Sequence, residues 1–269
     1  MRRPFDHLFR TVVCASAIAV VACGGGNQPQ QNTAQPQGAA APPSSGAGAA
    51  PAAAVDAATA ATVTGKVSFM GTPPAAQAVK LSSDPYCEKA NPGLKTETEV
   101  VGSDGSLGNV FVYVKDGLGN RTFTAPSDPV ILDQNGCHYT PHVLGIQIGQ
   151  PLQIVNSDDT LHNIHARPMA NKEFNQGQPI QGMKMTHTFS TKEVMVPFKC
   201  DVHGWMNAWI GVLDHPYYAV TSADGTFSLK GLPPGTYTIE AWHEKLGTQT
   251  QMVTVGEKET KNVAFTFKA

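Results

Sequence analysis

The sequence predicts an all-β protein: two β-sandwich units behind a low-complexity N-terminal stretch. Three observations carry this. Short runs of β-branched and aromatic residues recur from residue 62 onward, each closed by Gly, Pro, Asn or Asp, the spacing of a sandwich. No long segment shows a convincing 3.6-residue apolar period. Gly 26 and Pro 20, against only 15% charged residues, are the balance of a turn-rich chain.

The chain has 269 residues and a net charge of -2, room for one large or two modest domains and no basic field for nucleic acid. Arg2, Arg3 and Arg10 precede an apolar run over residues 11–22, too short to span a bilayer and suited to a signal peptide. Val20-Val21-Ala22-Cys23, followed by Gly24, resembles a bacterial lipobox. The resemblance implies that residues 1–22 are a lipoprotein signal peptide and that Cys23 carries lipid. The protein would then be exported and anchored in the cell envelope, facing the periplasm or the cell surface. Residues 23–60, rich in Ala, Pro, Gln and Gly, cannot bury a core and are expected to be a disordered linker. Its reach is roughly 35 Å.

Strands are predicted in order at residues 63–69, 109–115, 129–133, 143–148, 152–156, 183–189, 194–199 and 209–213. Gly149-Gln150-Pro151 reads as a hairpin-like connection. Beyond Asp214 the series Asp224-Gly225-Thr226-Phe227 and Leu232-Pro233-Pro234-Gly235-Thr236-Tyr237 resembles carboxypeptidase-regulatory-like, transthyretin-like β-sandwich modules. The stretch Val63-Thr64-Gly65-Lys66-Val67 resembles the usual first strand of that module. The module is therefore either residues 214–269 alone or discontinuous, with the other sandwich inserted. The boundaries taken are 61–213 and 214–269, with strand 62–70 assignable to either unit.

Five cysteines are present. By the lipobox resemblance, Cys14 would leave with the signal and Cys23 would carry lipid. Cys87 and Cys137 lie in polar, turn-like contexts and are expected to form a disulfide in an oxidising compartment. Cys200 remains. It opens Cys200-Asp201-Val202-His203-Gly204-Trp205-Met206, a thiolate, an imidazole and a thioether three residues apart. A second imidazole, His162, stands upstream after Asn156-Ser157-Asp158-Asp159-Thr160-Leu161. Two His, one Cys and a weak axial Met form the donor set of a mononuclear blue-copper site. Gly204 is expected to permit the tight turn. A binuclear copper centre would need a second Cys in the loop, where position 204 is Gly.

The stretch from about residue 143 to 212 resembles a cupredoxin, most closely the short-loop amicyanin type. The resemblance implies a Greek-key sandwich holding one type 1 copper ion on His162, Cys200, His203 and Met206. It implies that Asn163 braces the Cys200 loop, that His162 is buried, and that the His203 ring edge reaches solvent as the electron port. Trp205, beside that edge, is a candidate partner surface. The expected function is single-electron transfer with a redox partner such as a cytochrome, a dehydrogenase or an oxidase, with the membrane reached through the lipid. The alternatives are a copper carrier or sensor, which would also use the Met183, Met185 and His187 face, or a surface binding module with structural copper. Four protein ligands leave no open coordination position, so no catalytic residue is assigned.

Overall fold

The computed structural model describes residues 56–269, and structural statements below concern these residues. The expected signal segment, Cys23 and the part of the expected linker before Asp56 lie outside them. Residues 56–60, expected to belong to the disordered linker, form a turn in which Ala58 N–H donates to Asp56 Oδ1 at 2.8 Å. Among the described residues no helix is long and apolar enough to cross a membrane.

The elements are β1 (Ala61–Met70), α1 (Pro85–Ala90), β2 (Phe111–Asp116), β3 (Val130–Gln134), β4 (Tyr139–Thr140), β5 (Val143–Gln147), β6 (Pro151–Asn156), β7 (His162–Ala166) and β8 (Phe174–Gln178). There follow β9 (Lys184–Thr188), β10 (Glu193–Lys199), β11 (Asn207–Leu213), β12 (Tyr218–Val220), β13 (Thr226–Leu232), β14 (Gly235–His243), β15 (Gly247–Val255) and β16 (Thr260–Lys268). The protein is all-β, as the turn-rich, alternating sequence predicts.

Four sheets form two sandwiches. In the first, the sheet β5-β11-β10-β7-β8 encloses, with β4-β3-β6-β9, a core that includes Leu132, Ile146, Leu152, Ile154, Ile164 and Phe198. In the second, β13-β1-β16 and β12-β2-β14-β15 enclose Val67, Val112, Leu229, Ile239 and Phe265. Period-two burial along β1, with Ala61, Val63, Val67 and Phe69 inward, shows the rule by which half-buried strands are read from sequence.

Two placements differ from the sequence reading. The strand predicted at 109–115 falls within the unit expected to carry the metal loop, but β2 pairs with β12 and β14 in the second sandwich. β1 lies there too, antiparallel to β13 and parallel to β16. The second sandwich is thus discontinuous, and β3 to β11 are inserted between β2 and β12. Alternation cannot reveal this, because Phe111, Val112, Tyr113 and Val114 are all buried. Val112 and Val114 enter the second core, while Phe111 and Tyr113 meet Val143, Met195 and Leu213 in the seam between the sandwiches. The second difference is at Gly149. β5 pairs with β11 and β6 with β3 and β9, so the connection is an arch between sheets, not a hairpin. Gly149 makes it with φ of 84°.

The seam is tight. Gly145 and Gly211 are register partners on β5 and β11. A Cβ on Gly211 would run into the Phe111 ring, and one on Gly145 into the Tyr218 ring. Overpacking of this kind costs about 1–3 kcal/mol. Gly211→Ala is therefore expected to lower stability by that amount in denaturant unfolding. An unchanged midpoint would show that the seam can open at no cost.

Candidate metal centre

The donors come from neighbouring connections at one end of the first sandwich. Cys200, His203 and Met206 lie between β10 and β11, and His162 opens β7, which pairs with β10. The loop closes on its own backbone. Lys199 pairs with Asn207, Cys200 N–H donates to Met206 O at 3.1 Å, and Met206 N–H to His203 O at 2.9 Å. Within the turn, His203 N–H donates to Cys200 Sγ at 3.3 Å. Gly204 is not what permits it: its φ is not positive, and a Cβ there would meet nothing within 4 Å.

His162 arrives through a turn folded by Asn156. Its Nδ2 donates to Thr160 O at 3.0 Å and Gln178 O at 2.8 Å, and its Oδ1 accepts from Asp158 N–H at 3.0 Å. This turn carries Asp158 inward, where it is buried.

The donor atoms converge. His162 Nδ1 and His203 Nδ1 are 2.9 Å apart, and Cys200 Sγ is 4.0 Å from His203 Nδ1. The donor atoms of the three residues lie within 4.8 Å of one another. Metal bonds of about 2.0–2.1 Å to nitrogen and about 2.3 Å to sulfur allow one ion to reach both rings and the sulfur. Met206 is buried in the same cluster as Cys200.

Both rings are held from behind by carboxylates. His162 Nε2 lies 2.9 Å from Asp158 Oδ2, and His203 Nε2 lies 2.9 Å from Asp84 Oδ2. Ionised carboxylates only accept, so each Nε2 carries the hydrogen and donates it. That leaves the two Nδ1 lone pairs facing each other. Such an arrangement calls for a cation between the rings, or a proton on one of them. With the Cys200 sulfur alongside, the donor set is soft and fits copper.

The electrostatics favour a thiolate. Burial pushes the Cys200 thiol up, but the neighbouring His162 and His203 rings and the Asn163 and His203 N–H groups outweigh it and bring it down to about 6. Burial also opposes ionisation of Asp158, yet bonds from His162, Cys137 N–H and Gly136 N–H hold its carboxyl below the usual range. Burial lowers His162 as well, and Asp158 and Cys200 more than offset this, so the ring is raised.

Asn163 joins the two connections: its Oδ1 accepts from Asp201 N–H at 2.5 Å and its Nδ2 donates to Asn175 Oδ1 at 2.6 Å. His165 takes part in a polar network, with Nδ1 2.8 Å from Asp201 Oδ2 and Nε2 2.8 Å from Glu173 Oε1.

The port expected at His203 is not open. His203 is only 2% exposed. The segment between β1 and β2 folds over it: Asp84 holds Nε2, and Cys87 Sγ is 3.8 Å from the same nitrogen. Cys87 is bonded to Cys137 across 50 residues, which fastens the segment to the turn between β3 and β4. Trp205 completes the cover rather than standing free. Its ring centroid is 5.0 Å from that of His203, and its Nε1 donates to Cys137 O at 2.9 Å. Sequence reasoning missed Asp84. The one available signal was local: Asp84-Pro85 ahead of a short helix reads as an N-cap followed by N1 proline.

Residues 207–268 match the family model of the carboxypeptidase regulatory-like domain. The match takes in β11, which pairs in the first sandwich, whereas the strand flanking β13 in the second is β1. No curated protein matches the chain. Solved structures with local likeness include a Cu-containing nitrite reductase from Thermus scotoductus SA-01, at 19% identity and TM-score 0.31, covering 36% of this chain and 26% of that one. The chain thus spans about a quarter of that reductase. A purple cupredoxin from Nitrosopumilus maritimus aligns at 21% identity and TM-score 0.27, covering 31% of this chain and 98% of that one. A methionine-to-alanine mutant of amicyanin in the Cu(I) state aligns at 17% identity and TM-score 0.29, covering 38% and 97%.

Proposed function

We propose that this chain is a type 1 copper protein that carries single electrons between protein redox partners. The observation that supports it most directly is the two ring Nδ1 atoms 2.9 Å apart beside the buried Cys200 sulfur. Bound copper would supply a one-electron Cu(II)/Cu(I) couple. The ligands would be His162, Cys200 and His203, with Met206 as the axial thioether. The pairing of β7 with β10 and the backbone closure of the loop hold the donors in place through a change of charge. Burial of all four side chains keeps water from the site. With every donor supplied by the protein, no position is left for a substrate, so the reading is a carrier and not an enzyme. Its partners would be a cytochrome, a dehydrogenase or an oxidase, met at the envelope membrane where lipid on Cys23 anchors the chain.

A copper carrier or sensor would use the same ligands. The cover over His203 disfavours it, since metal handover would need a disulfide-fastened segment to lift. Two of the three side chains on the Met183, Met185 and His187 face are also engaged: Met185 packs on the first core, and His187 stacks on Phe174 at 4.1 Å.

Copper-loaded, oxidised protein is expected to show an intense visible thiolate-to-copper band and the narrow hyperfine splitting of a type 1 centre in EPR. A colourless copper complex would sink the reading. Fast copper transfer with sluggish electron self-exchange would favour the carrier.

A further inference from the structure

The geometry points to Asp84 as a positioning residue of the metal centre: it fixes the His203 ring with Nδ1 toward the ion, as Asp158 fixes His162. The inference rests on the copper reading for what it does to the ion, and on the fold alone for what it does to the ring. Asp84 comes from the segment between β1 and β2, far in sequence from the four proposed ligands, and its carboxylate is pinned at both oxygens. Oδ1 accepts from Tyr86 N–H at 2.8 Å and Cys87 N–H at 3.4 Å, as the N-cap of α1. Oδ2 accepts from Thr160 Oγ1 and His203 Nε2, each at 2.9 Å. The backbone is held as well, Asp84 N–H donating to Leu81 O at 3.0 Å and Asp84 O accepting from Glu88 N–H at 3.1 Å. A carboxylate so anchored cannot follow the ring if it turns, so it sets the ring.

Two consequences follow. The imidazole is kept in the Nε2–H tautomer, which leaves Nδ1 as the ligand and makes it a stronger donor. The second carboxylate in the shell also adds negative charge close to the ion, which favours the more highly charged Cu(II) over Cu(I). Outer-shell partners of this kind are typically worth about 10–100-fold in metal affinity.

The test uses Asp84→Asn, with Asp84→Ser as a second variant. Asn and Ser both still cap α1. In Asp84→Asn an amide NH2 replaces Oδ2, so His203 Nε2–H loses its acceptor. Serine retains the cap and withdraws the carboxylate. The metal-free protein is read by 15N NMR of the His203 ring, which should lose its single Nε2–H tautomer in both variants. The copper protein is read by potentiometry. The ratio of Cu(II) to Cu(I) affinity should fall at least tenfold, a rise of about 59 mV for one electron. Thr160→Val, which removes the other bond to Oδ2 and leaves the His203 pair, should leave the ring unchanged. Asp84 is not a positioning residue if both variants keep the wild-type ring shifts, or if Thr160→Val alters the ring as much. A wild-type protein without a type 1 spectrum would overturn the copper reading while the metal-free ring shifts still decide the role of Asp84.

Discussion

Cys200→Ser is expected to abolish the visible charge-transfer band of the copper-loaded protein altogether, while the metal-free fold persists. The band requires a sulfur–metal bond, and serine offers only a poorly ionised hydroxyl. The loop itself does not depend on the sulfur. Its closure comes from Cys200 N–H to Met206 O, Met206 N–H to His203 O and the Asn163 bond to Asp201 N–H, all of which serine retains. The one intraloop bond that changes acceptor is that from His203 N–H. Absorption of the loaded variant, together with circular dichroism of the metal-free one, checks this. A band that survives the substitution would place the chromophore elsewhere. Unfolding of the metal-free variant would mean that the thiol is structural.

Removing the Cys87–Cys137 bridge should have the largest effect on stability. It closes a span of 50 residues, and in the chain-entropy model a loop of that length is worth about 4 kcal/mol. The bridge also fastens the segment that covers His203. The double variant Cys87→Ala with Cys137→Ala is therefore expected to unfold at markedly lower denaturant. In the copper protein it should speed oxidation by small reagents and shorten the lifetime of the bound metal. The comparison of unfolding midpoint with oxidation rate separates the two roles. A large stability loss with no change in rate would mean that Asp84 and Trp205 keep the cover shut without the bridge.

Much of the architecture was legible because its signals are local. Alternating strands such as β1 and β6 declare themselves through period-two burial. The ligand loop is legible for the same reason, since Cys200, His203 and Met206 are three residues apart and chemistry limits what such a set can do. Cys87 and Cys137 could be paired by counting thiols. The failures share one cause. β2 is buried on both faces, so its sequence is uniformly apolar and gives no hint of which sheet takes it. The Gly149 connection looks like a hairpin because a turn of chain is the same whether it returns to its own sheet or crosses to another.

The sequence by itself determined the all-β class and singled out the candidate donor set with one thiol left over for it, because each depends on residue type and short spacing. Only the tertiary structure decided that β1 and β2 belong with β12 to β16, and that His203 lies beneath a fastened segment. It alone also brought Asp84 to the His203 ring nitrogen. These are matters of pairing between distant stretches. Strand alternation specifies which face is buried but not against what, and Asp84 stands 119 residues from the ring it holds.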